Sequence, residues 1–260
     1  MVILVIHDPH DFTKLVVEDF RALGLDFKEI WWRGQSKSKW DLTPGVYRCS
    51  RDRSYEQNVC SGFIAKAPAR YAKNCPSLAE AASWLILMQH YRLPTRLLDW
   101  TESPLVALYF AVSEHDCAPG ALWALEPYKL NKHQIPCVRP QVLNPQSERI
   151  QPIFKAAYAP VAKDTDKIVA VMASHEDLRV LVQQSAFTVH GLGTPLNKLR
   201  NREKFLAKIE IPPERKAKFR KYLESLGIRR SSLFPDLEYL AEDLKISEDL
   251  DLTERKKNAR

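Results

Sequence analysis

The sequence predicts an α+β fold, in which a mixed sheet flanked by helices forms a single domain. Three observations support this prediction. The chain is 45% hydrophobic and 27% charged, which is the composition of a folded globular protein. Its 260 residues fit one large domain, or one domain with an appendage. Short apolar runs that suit strands are interspersed with segments in which apolar residues recur at helical spacing.

The spacing of apolar residues predicts each element in chain order. Strands are expected at residues 2–6, 28–33, 96–100, 121–125, 168–172, 186–190 and 205–211. Helices are expected at residues 11–23, 54–70, 77–91, 213–226 and 236–245, with a helix or turn at 176–184. A further helix begins after Ser103, which suits the N-cap, with Pro104 in the first helical position. Residues 127–165 are rich in Pro, Gln and Asn, and long surface loops are expected there.

The excess positive charge is concentrated near the C-terminal end. The net charge is +7, and residues 196–230 hold twelve Lys/Arg against four acids, whereas residues 236–254 hold eight acids. In the helix after Pro213 the cations are expected to cover most of the exposed surface: Arg215, Lys216, Lys218, Arg220 and Lys221. Two interpretations stay open. The basic segment binds a protein or RNA/DNA partner, with salt-dependent affinity in the nucleic-acid case, or the acidic segment neutralises it internally.

Composition and spacing also exclude several kinds of site. Five cysteines form no CxxC pair, so neither a disulfide framework nor a zinc site is expected, and a reducing, cytoplasmic setting is the simplest interpretation. The seven histidines have no metal-ligand spacing, so no metal is expected. No phosphate loop or dinucleotide fingerprint occurs among eight glycines. No stretch approaches the ~20 apolar residues that span a bilayer, so no membrane partner is expected.

Residues capable of chemistry are concentrated in three segments. Trp31–Gln35 reads as a strand that ends in Arg, Gly and Gln, where a guanidinium group suits phosphate or carboxylate oxygens. Gln89–Thr101 runs from a helix end through a loop into a strand, and Arg179–His190 combines polar residues with a short strand. Each also has a structural interpretation, in which the arginines pair with nearby acids and His90 lies at a helix C-terminus.

Six polar residues from separate parts of the chain are expected to share one pocket, because polar groups at the ends of apolar strands otherwise lose hydration without compensation. They are Arg33, Gln35, His90, Arg96, Asp99 and Thr101. Asp99 is expected to hold Arg96 by a charged hydrogen bond, since a buried arginine needs a carboxylate nearby. Asp99 is then a structural partner rather than a catalytic base.

Together and in this order, the segments closely resemble the FRG domain family of bacteria and phages. The residues concerned are Trp32-Arg33-Gly34-Gln35, Leu42-Thr43-Pro44, Arg48, Met88–Tyr91, Leu93–Thr101, Ser103–Ala111, Arg179, Gln183, Phe187-Thr188 and Leu233–Glu238. This resemblance implies an FRG-like domain over residues 28–242, preceded by a strand-helix element at 1–27 and followed by a charged tail at 243–260. The family commonly has Gly after His-Tyr, and glycine favours a tight turn. This chain has Arg92 at that position.

A more distant similarity to ADP-ribosyltransferases implies a split sheet and NAD as co-substrate. By this resemblance Arg33 grips the pyrophosphate of NAD, with Gly34 and Gln35 beside it. The segment Asp99–Pro104 looks like the Ser/Thr-rich strand that opens a helix in those enzymes. No Glu lies between Leu178 and His190, so the usual acid is replaced by one of three candidates: Gln183, Gln184 or Glu238.

The resemblance assigns roles to further residues. Trp100 or Tyr109 would stack on nicotinamide, Thr101 would hydrogen-bond to ribose, and His90 or Gln183 would position the leaving group. Five further residues would hold the side chains that contact the ligand in place: Gln89, Tyr91, Arg96, Asp99 and Arg179. The leading hypothesis is therefore an NAD-consuming or ADP-ribosyl-transferring effector in bacterial conflict or phage defence. The alternative is a non-catalytic module that binds a nucleotide or nucleic acid. A nuclease is a third option, although no clustered Asp/Glu/His set for Mg²⁺ is visible.

Overall fold

Seven strands form one mixed sheet in the described part of the computed structural model. They are β1 (Ile3–Val5), β2 (Trp31–Gln35), β3 (Leu97–Thr101), β4 (Gly120–Leu125), β5 (Ile168–Val171), β6 (Ser185–His190) and β7 (Leu206–Ile211). Their order across the sheet is β1-β7-β4-β2-β3-β6-β5. Strand β1 is parallel to β7, and the other neighbouring pairs are antiparallel. The predicted single α+β domain is confirmed.

The structure describes residues 3–17, 29–48, 53–71, 75–135, 141–158, 166–172, 182–191, 193–234, 236–245 and 248. Its helices are α1 (Pro9–Val17), α2 (Arg53–Lys66), α3 (Pro68–Tyr71), α4 (Ala81–His90), α5 (Pro104–Val112), α6 (Pro127–Gln134), α7 (Gln151–Lys155), α8 (Lys216–Ser225), α9 (Arg230–Leu233) and α10 (residues 237–245). Within these ranges, none is long and apolar enough to cross a membrane.

The predicted elements and the observed ones agree closely, with one correction. All seven strands overlap the predicted ranges, although β2 ends two residues later than predicted, at Gln35. Ser103 caps α5 by accepting a hydrogen bond from the Val106 amide. The expectation of loops over 127–165 is wrong, because α6 and α7 lie there. Each has a proline in its first turn, where the missing N–H costs nothing. The predicted helix or turn at 176–184 lies mostly outside the described residues.

Different helices cover the two halves of one sheet face. Helix α5 packs on β2 and β4, and its buried side chains share a core cluster with Trp32, Leu122 and Ile209. Helix α4 packs on β3 and on α7, which in turn packs on β6, and it buries Trp84 and Met88. The opposite face forms a third cluster, which includes three tryptophans: Trp31, Trp100 and Trp123. The apolar strands are therefore covered on both sides, as near-continuous apolar runs require.

The sheet opens in its middle. Strand β2 pairs with β4 along its whole length, and β3 pairs with β6 along its whole length. Strands β2 and β3 share a single register pair, Trp32 with Thr101. Pairing does not continue to Arg33 and Trp100, so the two strands separate beyond this point. The gap lies between the half of the sheet under α5 and the half under α4.

Lys216 corrects the expectation that the basic segment covers exposed surface. Its side chain is fully buried, and its Nζ donates to the backbone carbonyl oxygens of Ser36 (2.8 Å), Glu114 (2.7 Å) and His115 (3.0 Å). Burial lowers the pKa of Lys216 below its usual value, although the nearby Asp116 carboxylate opposes this shift. This lysine joins two loops instead of facing solvent.

Other cations of the basic segment pair with acids from several parts of the chain. Three ion pairs illustrate this: Lys218 with Asp8, Arg220 with Asp116, and Arg230 with Glu242. Only the last of these three uses the acidic segment at 236–254. Neutralisation thus involves more of the fold than the sequence suggested, because Asp8 and Asp116 reach the basic helix through tertiary packing.

Candidate functional site

A cleft opens where β2 and β3 separate, and it consists of two adjoining cavities. The first, which we call the Asp99 cavity, has a volume of about 350 Å³ and is lined by Gln89, His90 and Asp99 among others. The second, the Trp40 cavity, has a volume of about 590 Å³. Arg33 and Arg48 line both cavities. Two cations therefore lie at the junction of two spaces, each large enough for a small organic group.

Arg33 bridges the gap in the sheet. Its Nη1 donates to the backbone carbonyl oxygen of Asp99 at 2.6 Å and lies 3.8 Å from the Asp99 carboxylate. Its Nε is buried without a hydrogen-bond partner among the described residues. Burial lowers the pKa of Arg33 to about 10; the Asp99 carboxylate raises it and the Arg48 cation lowers it further. Arg33 is thus charged at neutral pH and retains a donor that no described residue uses.

The Asp99 carboxylate is held in place by a chain of hydrogen bonds. Gln89 Nε2 donates to both carboxylate oxygens, at 3.0 and 2.9 Å. Thr95 Oγ1 donates to Gln89 Oε1 at 2.5 Å, which orients the amide. The Asp99 side chain is 51% exposed. An oriented and accessible carboxylate at the wall of a cavity can interact directly with a ligand, in contrast to the purely structural role expected from the sequence.

Arg96 is not the partner of Asp99, and the expectation that it shares the pocket is wrong. Its guanidinium is 2% exposed and binds the Glu56 carboxylate of α2 at 2.9 and 2.5 Å, with a further bond to the Ile153 carbonyl oxygen at 2.9 Å. The i, i+3 spacing of Arg96 and Asp99 brings side chains together on a helix. The segment is extended, however, and three residues there span about 10 Å.

Thr101 also lies outside the cleft. Its Oγ1 donates to the Gln183 carbonyl oxygen at 2.6 Å and accepts from the Ser103 amide at 3.0 Å. Gln183 does line the Asp99 cavity, but its Nε2 donates to the Leu233 carbonyl oxygen at 3.0 Å. Thr101 therefore joins β3 to the residues before β6 rather than facing a ribose.

The other candidates for the usual acid do not enter the cleft. Gln184 is exposed and has a left-handed backbone, with φ of 46°. Glu238 is exposed on α10 and lines neither cavity. Arg179 lies outside the described residues. Among the described residues, Asp99 is thus the acidic residue that lines this cavity.

The aromatic residues expected to stack on a ligand are placed elsewhere. Trp100 is 2% exposed in the core, and its Nε1 donates to Thr188 Oγ1 at 3.1 Å. Tyr109 is half-buried outside both cavities, and burial raises its pKa. Its neighbour Phe110 lines the Trp40 cavity instead. Tyr91 is exposed and packs against the Phe63, Tyr71 and His90 rings.

Gly34 and Gln35 have mainly structural contacts, although both lie at the wall of the Trp40 cavity. A Cβ on Gly34 would lie 1.8 Å from the Ala107 carbonyl oxygen and 2.7 Å from the Ala111 nitrogen. The close approach that needs a glycine is therefore to the backbone of α5, not to a ligand. Gln35 Oε1 accepts from Trp123 Nε1 at 2.8 Å, so this side chain is fixed in the core.

Residues 28–118 match the family model of the FRG domain. The match covers about a third of the chain. It includes β2, α4, β3 and α5, which together form the gap in the sheet and position Arg33, Gln89 and Asp99. No match was found among curated proteins or among solved structures. The wider boundary at 28–242 stays a prediction.

The matched segment also contributes cleft residues that the sequence analysis did not select. Arg48, Trp40, Phe110 and Arg92 line the cavities, and Phe234 reaches the Asp99 cavity from beyond the matched region. Arg48 had a signal, since it belongs to the family resemblance. Trp40 had none, because exposure of a lone aromatic residue is not visible in a sequence. The described residues contain no group of three or more His, Cys, Asp or Glu that could hold a metal ion.

The turn after His90 forms although an arginine occupies the position where glycine is favoured. Arg92 has a left-handed backbone, with φ of 62°, and its Nη2 donates to Tyr239 Oη at 2.8 Å. We expect Arg92→Gly to be more stable than Arg92→Ala by about 1 kcal/mol, because both lose the side chain but only glycine avoids the left-handed strain. Chemical denaturation of the two variants measures this difference. Equal stability, or the reverse order, would contradict the strain argument.

Proposed function

We propose that the cleft binds NAD and that the protein breaks its nicotinamide–ribose bond, either by hydrolysis or by transfer of ADP-ribose to an acceptor. One observation supports this most directly: Arg33 and Arg48 lie at the junction of two cavities. A dinucleotide has the same layout, since a diphosphate joins two nucleosides. Guanidinium groups are well suited to phosphate oxygens, and the diphosphate would lie between them.

The charges along the cleft favour an anionic ligand. Arg92 lines the Asp99 cavity together with the two junction arginines, whereas Asp99 is the acid there among the described residues. The Nε–H of Arg33 has no acceptor among the described residues. A buried donor without an acceptor costs about 1–3 kcal/mol of stability, so a ligand that supplies an acceptor is favoured. A phosphate oxygen nearby would also favour the protonated guanidinium against the burial that lowers its pKa.

The Asp99 cavity is the place we assign to the reacting bond. Nicotinamide leaves with the electron pair of the C1′–N1 bond, and positive charge develops on the ribose as in glycoside cleavage. The oriented Asp99 carboxylate stabilises that charge. Water or an acceptor then bonds to C1′ and loses a proton, which leaves ADP-ribose or its adduct. His90 and Gln183 line the same cavity and position the leaving group.

The gap between β2 and β3 supports the similarity to ADP-ribosyltransferases on which the proposal draws. By the same resemblance we place the protein among effectors of bacterial conflict or phage defence. A non-catalytic nucleotide-binding module remains the alternative, because Thr101, Trp100 and Glu238 do not reach the cleft. Nucleic-acid binding by the basic segment has less support, since Lys216, Lys218 and Arg220 are engaged within the fold.

Arg48 gives a direct test of NAD binding. Its Nε donates to the Thr43 carbonyl oxygen at 2.9 Å, and its side chain is exposed. Arg48→Gln is expected to weaken NAD binding by roughly tenfold or more, because a charged hydrogen bond to phosphate is lost. Arg70→Gln is the matched control, because Arg70 is also exposed and donates to one backbone carbonyl, that of Lys66. Titration calorimetry measures both affinities.

Asp99→Asn separates binding from chemistry. We expect this variant to bind NAD but to release nicotinamide at least roughly a hundredfold more slowly than the wild type, because the neutral amide no longer stabilises the positive ribose. Chromatography of NAD and nicotinamide over time gives the rates. If the wild-type protein binds NAD without consuming it, the non-catalytic alternative is correct. If it does not bind millimolar NAD, the proposal is wrong.

A further inference from the structure

Trp40 differs from the other tryptophans of the chain in its exposure. The sequence has six tryptophans. Five of them (Trp31, Trp32, Trp84, Trp100 and Trp123) are 2% exposed, whereas Trp40 is 41% exposed. Exposure of a large indole normally costs free energy. The exposed ring also lines a cavity of about 590 Å³, where a flat ligand can cover it.

The indole of Trp40 is held in a defined orientation. The His115 ring packs edge-on against it, with centroids 5.3 Å apart and an interplanar angle of 82°. His115 Nδ1 is in turn hydrogen-bonded to Ser36 Oγ at 2.9 Å. Lys37 Nζ lies 5.5 Å from the ring centroid, over one face of the indole. A ring supported in this way is a rigid platform for stacking, since little side-chain freedom remains to be lost on binding.

The Trp40 cavity combines three kinds of lining residue: aromatic, acidic and basic. Tyr47 and Phe110 add aromatic surface to Trp40, and the acidic residues Asp41 and Glu114 line the same space. The junction arginines line it as well, where it adjoins the Asp99 cavity. Aromatic surface suits a heterocyclic base, carboxylates accept from an exocyclic amino group, and arginines bind phosphate.

We propose that the Trp40 cavity is the subsite for an amino-bearing purine, namely the adenine of an adenine nucleotide. The base stacks on the indole of Trp40, its amino group donates to Asp41 or Glu114, and the diphosphate lies on Arg33 and Arg48. This assignment rests on the proposed function only for the position of the diphosphate. It gives a bound NAD one direction, with adenosine in the Trp40 cavity and the reacting ribose beside Asp99.

Iodide quenching of tryptophan fluorescence tests the site without any activity assay. Iodide reaches exposed indoles, so quenching of the wild-type protein reports Trp40. We expect saturating ADP to abolish most of this quenching, and Trp40→Phe to remove the ADP-sensitive part of the signal. Quenching that is unchanged by saturating ADP would overturn the proposal.

Calorimetry with two nucleotides then tests the chemistry of the subsite. ADP is expected to bind about tenfold more tightly than inosine 5′-diphosphate, which has an oxo group in place of the amino group. Trp40→Ala is expected to weaken ADP binding by about ten- to one-hundredfold, whereas Trp40→Phe keeps most of the affinity because it still stacks. Leu78→Ala, at an exposed apolar residue outside both cavities, is the control and should bind ADP normally.

The outcomes distinguish this inference from the proposed function. If NAD is consumed but Trp40→Ala binds ADP as tightly as the wild type, the subsite is wrong and the function stands. Equal affinity for the two diphosphates would likewise overturn the assignment to an amino-bearing purine. If ADP protects Trp40 but NAD is not consumed, the subsite is supported and the catalytic proposal fails.

Discussion

Replacement of Gly34 by alanine is expected to destabilise the protein by about 3 kcal/mol or more. The added Cβ would lie 1.8 Å from the Ala107 carbonyl oxygen and 2.7 Å from the Ala111 nitrogen, both in the backbone of α5. A flexible side chain could move away, but a helix backbone cannot do so without separating α5 from β2. Overpacking of this kind costs about 1–3 kcal/mol even where side chains can adjust. Chemical denaturation measures the loss.

Gly62 provides the matched control for this substitution. It lies inside α2, and a Cβ there would meet nothing within 4 Å. Gly62→Ala is therefore expected to stabilise the protein by about 0.5–1 kcal/mol, because alanine restricts the unfolded chain and favours the helix. The two Gly→Ala changes should have opposite signs. A Gly34→Ala protein as stable as the wild type would show that β2 and α5 are not in close contact.

Removal of the Glu56 charge is expected to cost about 3–5 kcal/mol, because it leaves the Arg96 guanidinium buried without its carboxylate. Both side chains are nearly inaccessible, at 3% and 2% exposure. Glu56→Gln preserves the shape of the side chain, so the loss can be assigned to charge rather than to a cavity. The free energy of unfolding from urea titration is the measurement. A loss below about 1 kcal/mol would mean that water reaches this pair.

Two further variants test whether the loss of stability in Glu56→Gln comes from the burial of the charges rather than from the loss of an ion pair as such. Glu242→Gln breaks the exposed pair with Arg230, whose side chains are 45% and 50% exposed, and should cost at most about 1 kcal/mol. The double variant Glu56→Leu/Arg96→Met replaces the buried pair with apolar side chains. It should recover much of the stability lost in Glu56→Gln, since a buried ion pair adds little over a well-packed apolar pair.

Local sequence patterns alone determined the elements of this fold and part of its cleft. Ser103 and Pro104 mark the start of α5 because capping and a fixed φ act over a few residues. The apolar runs marked the strands, since burial on both faces requires continuous apolar side chains. Arg33 and His90 line the Asp99 cavity, whereas Arg96 and Thr101, selected by the same reasoning, do not.

Tertiary structure alone decided the contacts between residues far apart in the chain. Arg96 pairs with Glu56, forty positions earlier, and Lys216 binds carbonyl groups about one hundred or more positions away. Propensity and periodicity describe neighbours within a few residues, so they cannot select such partners. The same limit applies to Gly34, which faces α5, and to Trp40, which is exposed. Which side chains face the cleft depends on where β2 and β3 separate, and that is set by the packing of α4 and α5 on different halves of the sheet.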